Sequence, residues 1–73
     1  MIKISARLKK IAEFIDDNSS IVDIGCDHGL LDIYLYQTKK NINIIASDVN
    51  QNALNNAIKN NSKFIKKTFF YLN

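Results

Sequence analysis

Asp23, Gly25, Asp27, His28 and Gly29 fall in one short stretch, and Gly25 and Gly29 are the only two glycines of the 73-residue chain. Asp23-Ile24-Gly25-Cys26-Asp27-His28-Gly29 follows a run of β-branched residues and precedes a helical pattern that opens at Leu30. A glycine-bearing turn between a strand and a helix lets the backbone approach a ligand closely. It also aims loop N–H groups and the positive end of the helix at that ligand. A nucleotide-like ligand needs one thing more, an acid at the tip of the next strand to accept hydrogen bonds from ribose hydroxyls. Asp48 lies 23 residues beyond Gly25, near the separation of about 20 expected for a ribose acid.

The spacing discriminates between ligands. The dinucleotide pattern G-x-G-x-x-G would place glycine at positions 27 and 30, where Asp27 and Leu30 stand. The pattern acid-x-Gly-x-Gly-x-Gly fits from Asp23 onward with only its middle glycine replaced, by Asp27, and it resembles the S-adenosylmethionine loop of class I methyltransferases. An anionic loop residue opposes a pyrophosphate but tolerates the positive sulfonium and amino groups of that methyl donor. An NAD-type nucleotide binder is therefore the weaker reading. Cys26, Asp27 and His28 are adjacent and too crowded for tetrahedral ligation, so no metal is expected. Cys26 reads as a small buried thiol. His28 has two readings, hydrogen bonding to a helix end or a role in the site.

These residues need elements to hold them. Ile4, Leu8, Ile11 and Ile15 recur at three- and four-residue steps, which predicts an amphipathic helix from Ser5, a plausible N-cap, to about Ile15. Asp16-Asp17-Asn18-Ser19-Ser20 is turn chemistry. Ile21, Val22 and Ile24 predict a strand buried on both faces. Asp23 interrupts it and requires a partner, either loop N–H groups or a ligand. Leu31, Tyr34 and Leu35 predict a second helix to about Lys39, with Asp32 suited to its positive end. Ile42 to Ser47 reads as a second strand ending at Asp48, and Asn50 as the N-cap of a third helix. Ala53, Leu54, Ala57, Ile58, Asn61 and Ile65 continue it. Thr68-Phe69-Phe70-Tyr71-Leu72 is a candidate third strand. Strand–helix–strand in so short a span implies right-handed parallel βαβ units. The expected fold is α/β, the front half of a Rossmann-like parallel sheet preceded by a helix. The organisation expected is a cap helix at 5–17, a βαβα cofactor-binding unit at 20–62 and a tail at 63–73.

Composition sets further bounds. A chain this short is one small domain at most. The net charge of +3 reflects lysine enrichment alongside isoleucine and asparagine, as in an AT-rich genome, and weakly supports a nucleic-acid partner. The single cysteine excludes an intramolecular disulfide. No apolar run reaches the roughly 18 residues of a membrane span and no leader pattern is present, so a cytoplasmic, membrane-free protein is expected.

A more specific resemblance covers about Ser5 to Asn60. Ser5-Ala6-Arg7-Leu8-Lys9-Lys10-Ile11-Ala12-Glu13-Phe14-Ile15, the Gly25-Cys26-Asp27-His28 loop, Leu31, Ile33-Tyr34-Leu35 and Asp48-Val49-Asn50 together resemble the start of the bacterial tRNA (adenine-N1)-methyltransferases of the TrmK type. The chain departs at Asp32, where many relatives carry proline, and the likeness fades after Asn61. The resemblance implies that Gly25, Asp27 and Gly29 shape an S-adenosylmethionine pocket, with Asp23 and His28 beside it. It implies that Asp48 holds the ribose and Val49 packs on the adenine. The helix bearing Arg7 would cover the pocket, and Arg7 and Lys10 are the candidates for tRNA contact. The implied function is S-adenosylmethionine-dependent methylation of N1 of a tRNA adenine, with this chain as the N-terminal, cofactor-binding part. A missing C-terminal polypeptide is then the partner to expect, and a truncated non-catalytic remnant is the alternative.

Overall fold

The computed structural model describes residues 2–64 and 69–72. Helix α1 spans Ala6–Glu13, and Ser5 caps it: the hydroxyl oxygen accepts from the Leu8 N–H at 3.2 Å. Strand β1 is Ser20–Ile24, helix α2 Leu30–Thr38, strand β2 Asn43–Asp48, helix α3 Gln51–Phe64 and strand β3 Phe69–Leu72. Asn50 starts α3 as its residue type suggests, its side-chain oxygen accepting from the Ala53 N–H at 3.1 Å. The expected end of this helix at Ile65 and the residue Thr68 lie outside the described residues.

The strands lie in the order β1-β2-β3, and both pairings are parallel. Ser20 pairs with Asn43 and Ile24 with Ser47. The register is anchored at the start of the strands by two turns. Asn18 and Asn41 adopt left-handed backbones, with φ of 66° and 52°, a conformation asparagine tolerates better than most residues. The Asn18 N–H donates to the Lys40 carbonyl at 2.8 Å, and the Lys40 N–H donates to Asp17 Oδ1 at 2.7 Å. At the other end the Cys26 N–H donates to the Ser47 carbonyl at 2.8 Å, so the pairing carries the chain into the loop.

All three helices lie against one face of the sheet. Ala12 of α1, Leu35 of α2 and Ile44 of β2 share one apolar cluster with Ile42. Ala46 of β2 packs with Leu54 and Ala57 of α3 and with Cys26 in a second. Ile33 and Leu35 are completely buried, each contributing about 1.5–3 kcal/mol of transfer free energy. The opposite face is open. Val22 is 59% exposed and Ile24 78%, and Ile45, which pairs with Val22, is also exposed. This corrects the expectation of a strand buried on both faces. The β-branched run is two-sided, but the helices of the described chain cover only the side of Ile21 and Asp23. Strand β1 also has β2 as its only partner among the described residues, leaving one edge unpaired. No helix among the described residues is long and apolar enough to cross a membrane.

Candidate functional site

The loop from Gly25 to Gly29 turns through left-handed backbone at every second residue: Gly25 φ +71°, Asp27 φ +54°, Gly29 φ +72°. Asp27 stands where a glycine would complete the pattern, and it keeps the glycine-like conformation. Aspartate is one of the few L residues that does so at low cost, because its short polar side chain can bond locally. The loop closes with the Gly29 N–H donating to the Cys26 carbonyl at 2.8 Å.

The two glycines serve different purposes. A Cβ on Gly25 would meet nothing within 4 Å, so the backbone there borders open space. A Cβ on Gly29 would come within 3.0 Å of Asn61 Nδ2 and 3.2 Å of Ala57 Cβ. Gly29 thus lets the start of α2 pack against α3, and the Asn60 side-chain amide adds a hydrogen bond to the His28 carbonyl at 3.0 Å.

Asp48 at the end of β2 ties the loop to the start of α3. Its Oδ2 accepts from the Asp27 N–H and its Oδ1 from the Asn50 N–H, both at 2.9 Å. These backbone N–H groups hold the carboxyl below the usual carboxylate range. Each oxygen keeps a lone pair for a further donor. Val49, next along the chain, is 76% exposed.

A cavity of about 370 Å³ opens beside the loop. Arg7, Leu8 and Ile11 of α1 form one wall, and Asp23 and Ile24 of β1 with Gly25, Cys26, Asp27 and His28 form the other. Leu30 and Leu31 close it at the start of α2. The structure therefore brings Asp23, Gly25, Asp27, His28 and Arg7 together. Asp48, Val49 and Gly29 are not part of its wall; Asp48 is joined to the loop through the Asp27 N–H. Lys10 is outside the wall, exposed and paired with Glu13 at 3.1 Å. His28 Nε2 lies 3.7 Å from Asp27 Oδ1, with both side chains largely exposed. Cys26 is buried, and burial, reinforced by the charges of Asp32, Asp23 and Asp48, pushes its thiol up to about 12. It is a protonated packing group at neutral pH rather than a thiolate.

Asp32 departs from its sequence reading. The first turn of a helix favours an exposed carboxylate, yet Asp32 is completely buried and neither oxygen has a hydrogen-bond partner. Burial, with the adjoining Asp23 carboxyl adding to it, pushes its pKa up to about 9. Burial and the neighbouring acid thus favour the uncharged form of Asp32. Among the described residues no loop N–H donates to Asp23; its close polar neighbour is Asp32.

Residues 4–69 match the family model described as a methyltransferase domain. The chain belongs to the methyltransferase domain family. A Mycoplasma genitalium protein that carries a tRNA methyltransferase name is 42% identical over 60 residues, which are 80% of this chain and 26% of that protein. Mycoplasma capricolum TrmK, solved with S-adenosylhomocysteine, superposes with a TM-score of 0.87 at 40% identity, covering 96% of this chain and 32% of that one. A Streptococcus pneumoniae protein described as a candidate tRNA (m1A22) methyltransferase superposes with a TM-score of 0.86 at 30% identity, over 97% of this chain and 33% of its own. The chain thus spans about a quarter of the curated relative it matches and about a third of these structures.

Two features of this methyltransferase domain escaped the sequence reading, the Asp23–Asp32 contact and the Asn60 bond to the loop. An acid inside the apolar stripe of α2 was a visible signal for the first. The asparagine-rich helix held no local signal for the second.

Proposed function

We propose that this chain supplies the S-adenosylmethionine-binding part of a tRNA (adenine-N1)-methyltransferase. The observation that carries the reading is the loop itself. Three alternating left-handed residues, Gly25, Asp27 and Gly29, are bound through the Asp27 N–H to an acid at the tip of β2. The residues suit the cofactor. Gly25 leaves open space against the cavity, and Asp23 and Asp27 line it with acids that match the positive amino and sulfonium groups. The same acids repel a pyrophosphate. In this reading the amino-acid end of the cofactor occupies the cavity. The ribose hydroxyls donate to the free lone pairs of Asp48, the adenine packs on exposed Val49, and His28 stands where a target base would approach. Arg7 and Lys10 on α1 offer positive charge to tRNA.

When bound, S-adenosylmethionine supplies an electrophilic methyl group, and adenine N1 attacks it in line. Such a displacement needs positioning and a desolvated nucleophile rather than a metal or a covalent enzyme intermediate. The open face around Val22 and Ile24 and the unpaired edge of β1 support a further polypeptide segment that completes the sheet and carries the base-binding groups. The site is taken to operate inside the cell, where tRNA is.

Calorimetric titration tests the cofactor assignment. S-adenosylhomocysteine is expected to bind and NAD is not. Asp48→Asn, which removes one of the two charged acceptor oxygens, is expected to weaken S-adenosylhomocysteine about tenfold or more. Binding of NAD in preference to S-adenosylhomocysteine would overturn the assignment. Methylation of tRNA is expected only when the remaining strands are present.

A further inference from the structure

We propose that Asp32 is a positioning residue: its carboxylic acid hydrogen bonds to Asp23 and fixes the Asp23 carboxylate at the cavity wall, where it receives the cationic amino group of the cofactor. The role rests on the cofactor reading above. Asp23 is half-buried on the helix-covered side of β1 and lines the cavity. Asp32 reaches it from α2, completely buried. As two carboxylates the pair has acceptors only and cannot satisfy itself, and neither Asp32 oxygen has another partner. One proton between them turns the contact into a charge-assisted hydrogen bond. It leaves one negative charge, on the member that faces the cavity.

The surroundings favour that proton staying on Asp32. Facing titratable groups are Asp23 from β1 and Cys26 from the loop, and the thiol is itself protonated. Arg7, Lys9, Lys10 and Glu13 of α1 and Lys59 of α3 are exposed, and no cation pairs with either acid among the described residues. Burial without a cation disfavours a second charge, and the upward displacement of the Asp32 pKa agrees. Asp23, nearer solvent, takes the charge.

The test combines two variants of the full chain with carbon NMR of the aspartate carboxyls. The Asp32 carboxyl is expected to remain protonated at pH 7, and the Asp23 signal to move when Asp32 finally ionises. Asp32→Asn retains a donor to Asp23 and should bind S-adenosylhomocysteine within about threefold of the unmodified chain. Asp32→Leu removes the donor and should weaken it about tenfold, with its thermal midpoint unchanged or raised, since apolar replacement of a buried polar group is commonly neutral or stabilising. Loss of ligand without loss of stability, rescued by the amide, is not what a purely structural residue gives. Full affinity in Asp32→Leu, or an Asp32 carboxyl that titrates near 4, overturns the proposal. Failure of the unmodified chain to bind S-adenosylhomocysteine overturns the cofactor reading and this role with it, while the NMR titration still decides whether the two acids share a proton.

Discussion

Alanine at the two glycines should separate ligand binding from folding. Both positions carry left-handed backbone, φ +71° and +72°, so either substitution costs about 1–2 kcal/mol in backbone strain. At Gly25 that is the whole cost, because the new methyl meets nothing within 4 Å. At Gly29 the methyl also presses 3.2 Å from Ala57 Cβ and 3.4 Å from Ala57 Cα. Ala57 is completely buried on α3, and a helix backbone yields less readily than the flexible amide of Asn61. Overpacking of that kind adds about 1–3 kcal/mol. Gly29→Ala should therefore lose about 2–5 kcal/mol, a large part of the roughly 4–11 kcal/mol expected for a chain of this length. Urea denaturation followed by far-ultraviolet circular dichroism measures both. For ligand the order reverses: Gly25→Ala stays folded but places its methyl in the space where the cofactor is proposed to approach, so S-adenosylhomocysteine affinity should drop. Equal destabilisation by the two substitutions would refute the division of labour between the glycines.

Stability should also depend on pH in a direction set by Asp32. Its folded pKa of about 9 lies far above the ordinary value of about 4, so folding takes up a proton between those limits. The contribution is full near pH 4 and is lost progressively as pH rises toward 9. Asp48, whose carboxyl is held low by the Asn50 and Asp27 N–H groups, acts in the opposite sense, stabilising above about pH 4 and losing that contribution below it. The urea midpoint should accordingly be lower at pH 7.5 than at pH 4.5, and Asp32→Asn should flatten the difference; a midpoint that rises over this interval contradicts the buried acid. Ser5→Ala removes the acceptor for the Leu8 N–H and should cost about 1 kcal/mol, read as a lower thermal midpoint.

Much of the site could be read before the fold was known because it is local. The order of elements follows from side-chain periodicity, the caps at Ser5 and Asn50 from residue type, and the Gly25–Gly29 turn from the rarity of glycine and its place after an apolar run. The separation of Gly25 and Asp48 carries the parallel crossover, since one helix and one strand fill it. Other properties were decided only by which surfaces meet. Gly25 and Gly29 are identical as residues and nearly so in φ, and only the approach of α3 makes one a packing requirement and the other an opening. Asp32 looked like a dipole partner because its turn of helix favours one, but the side of α2 that carries it lies against the sheet beside Asp23. Val22 and Ile24 looked like core because β-branched residues suit a two-sided sheet, yet all three helices cross on the other face. Sequence by itself determined the local conformations, whose causes act within a few residues. Tertiary structure decided burial, and through burial the charge on Asp32, because desolvation depends on everything that surrounds a group and not on its neighbours along the chain.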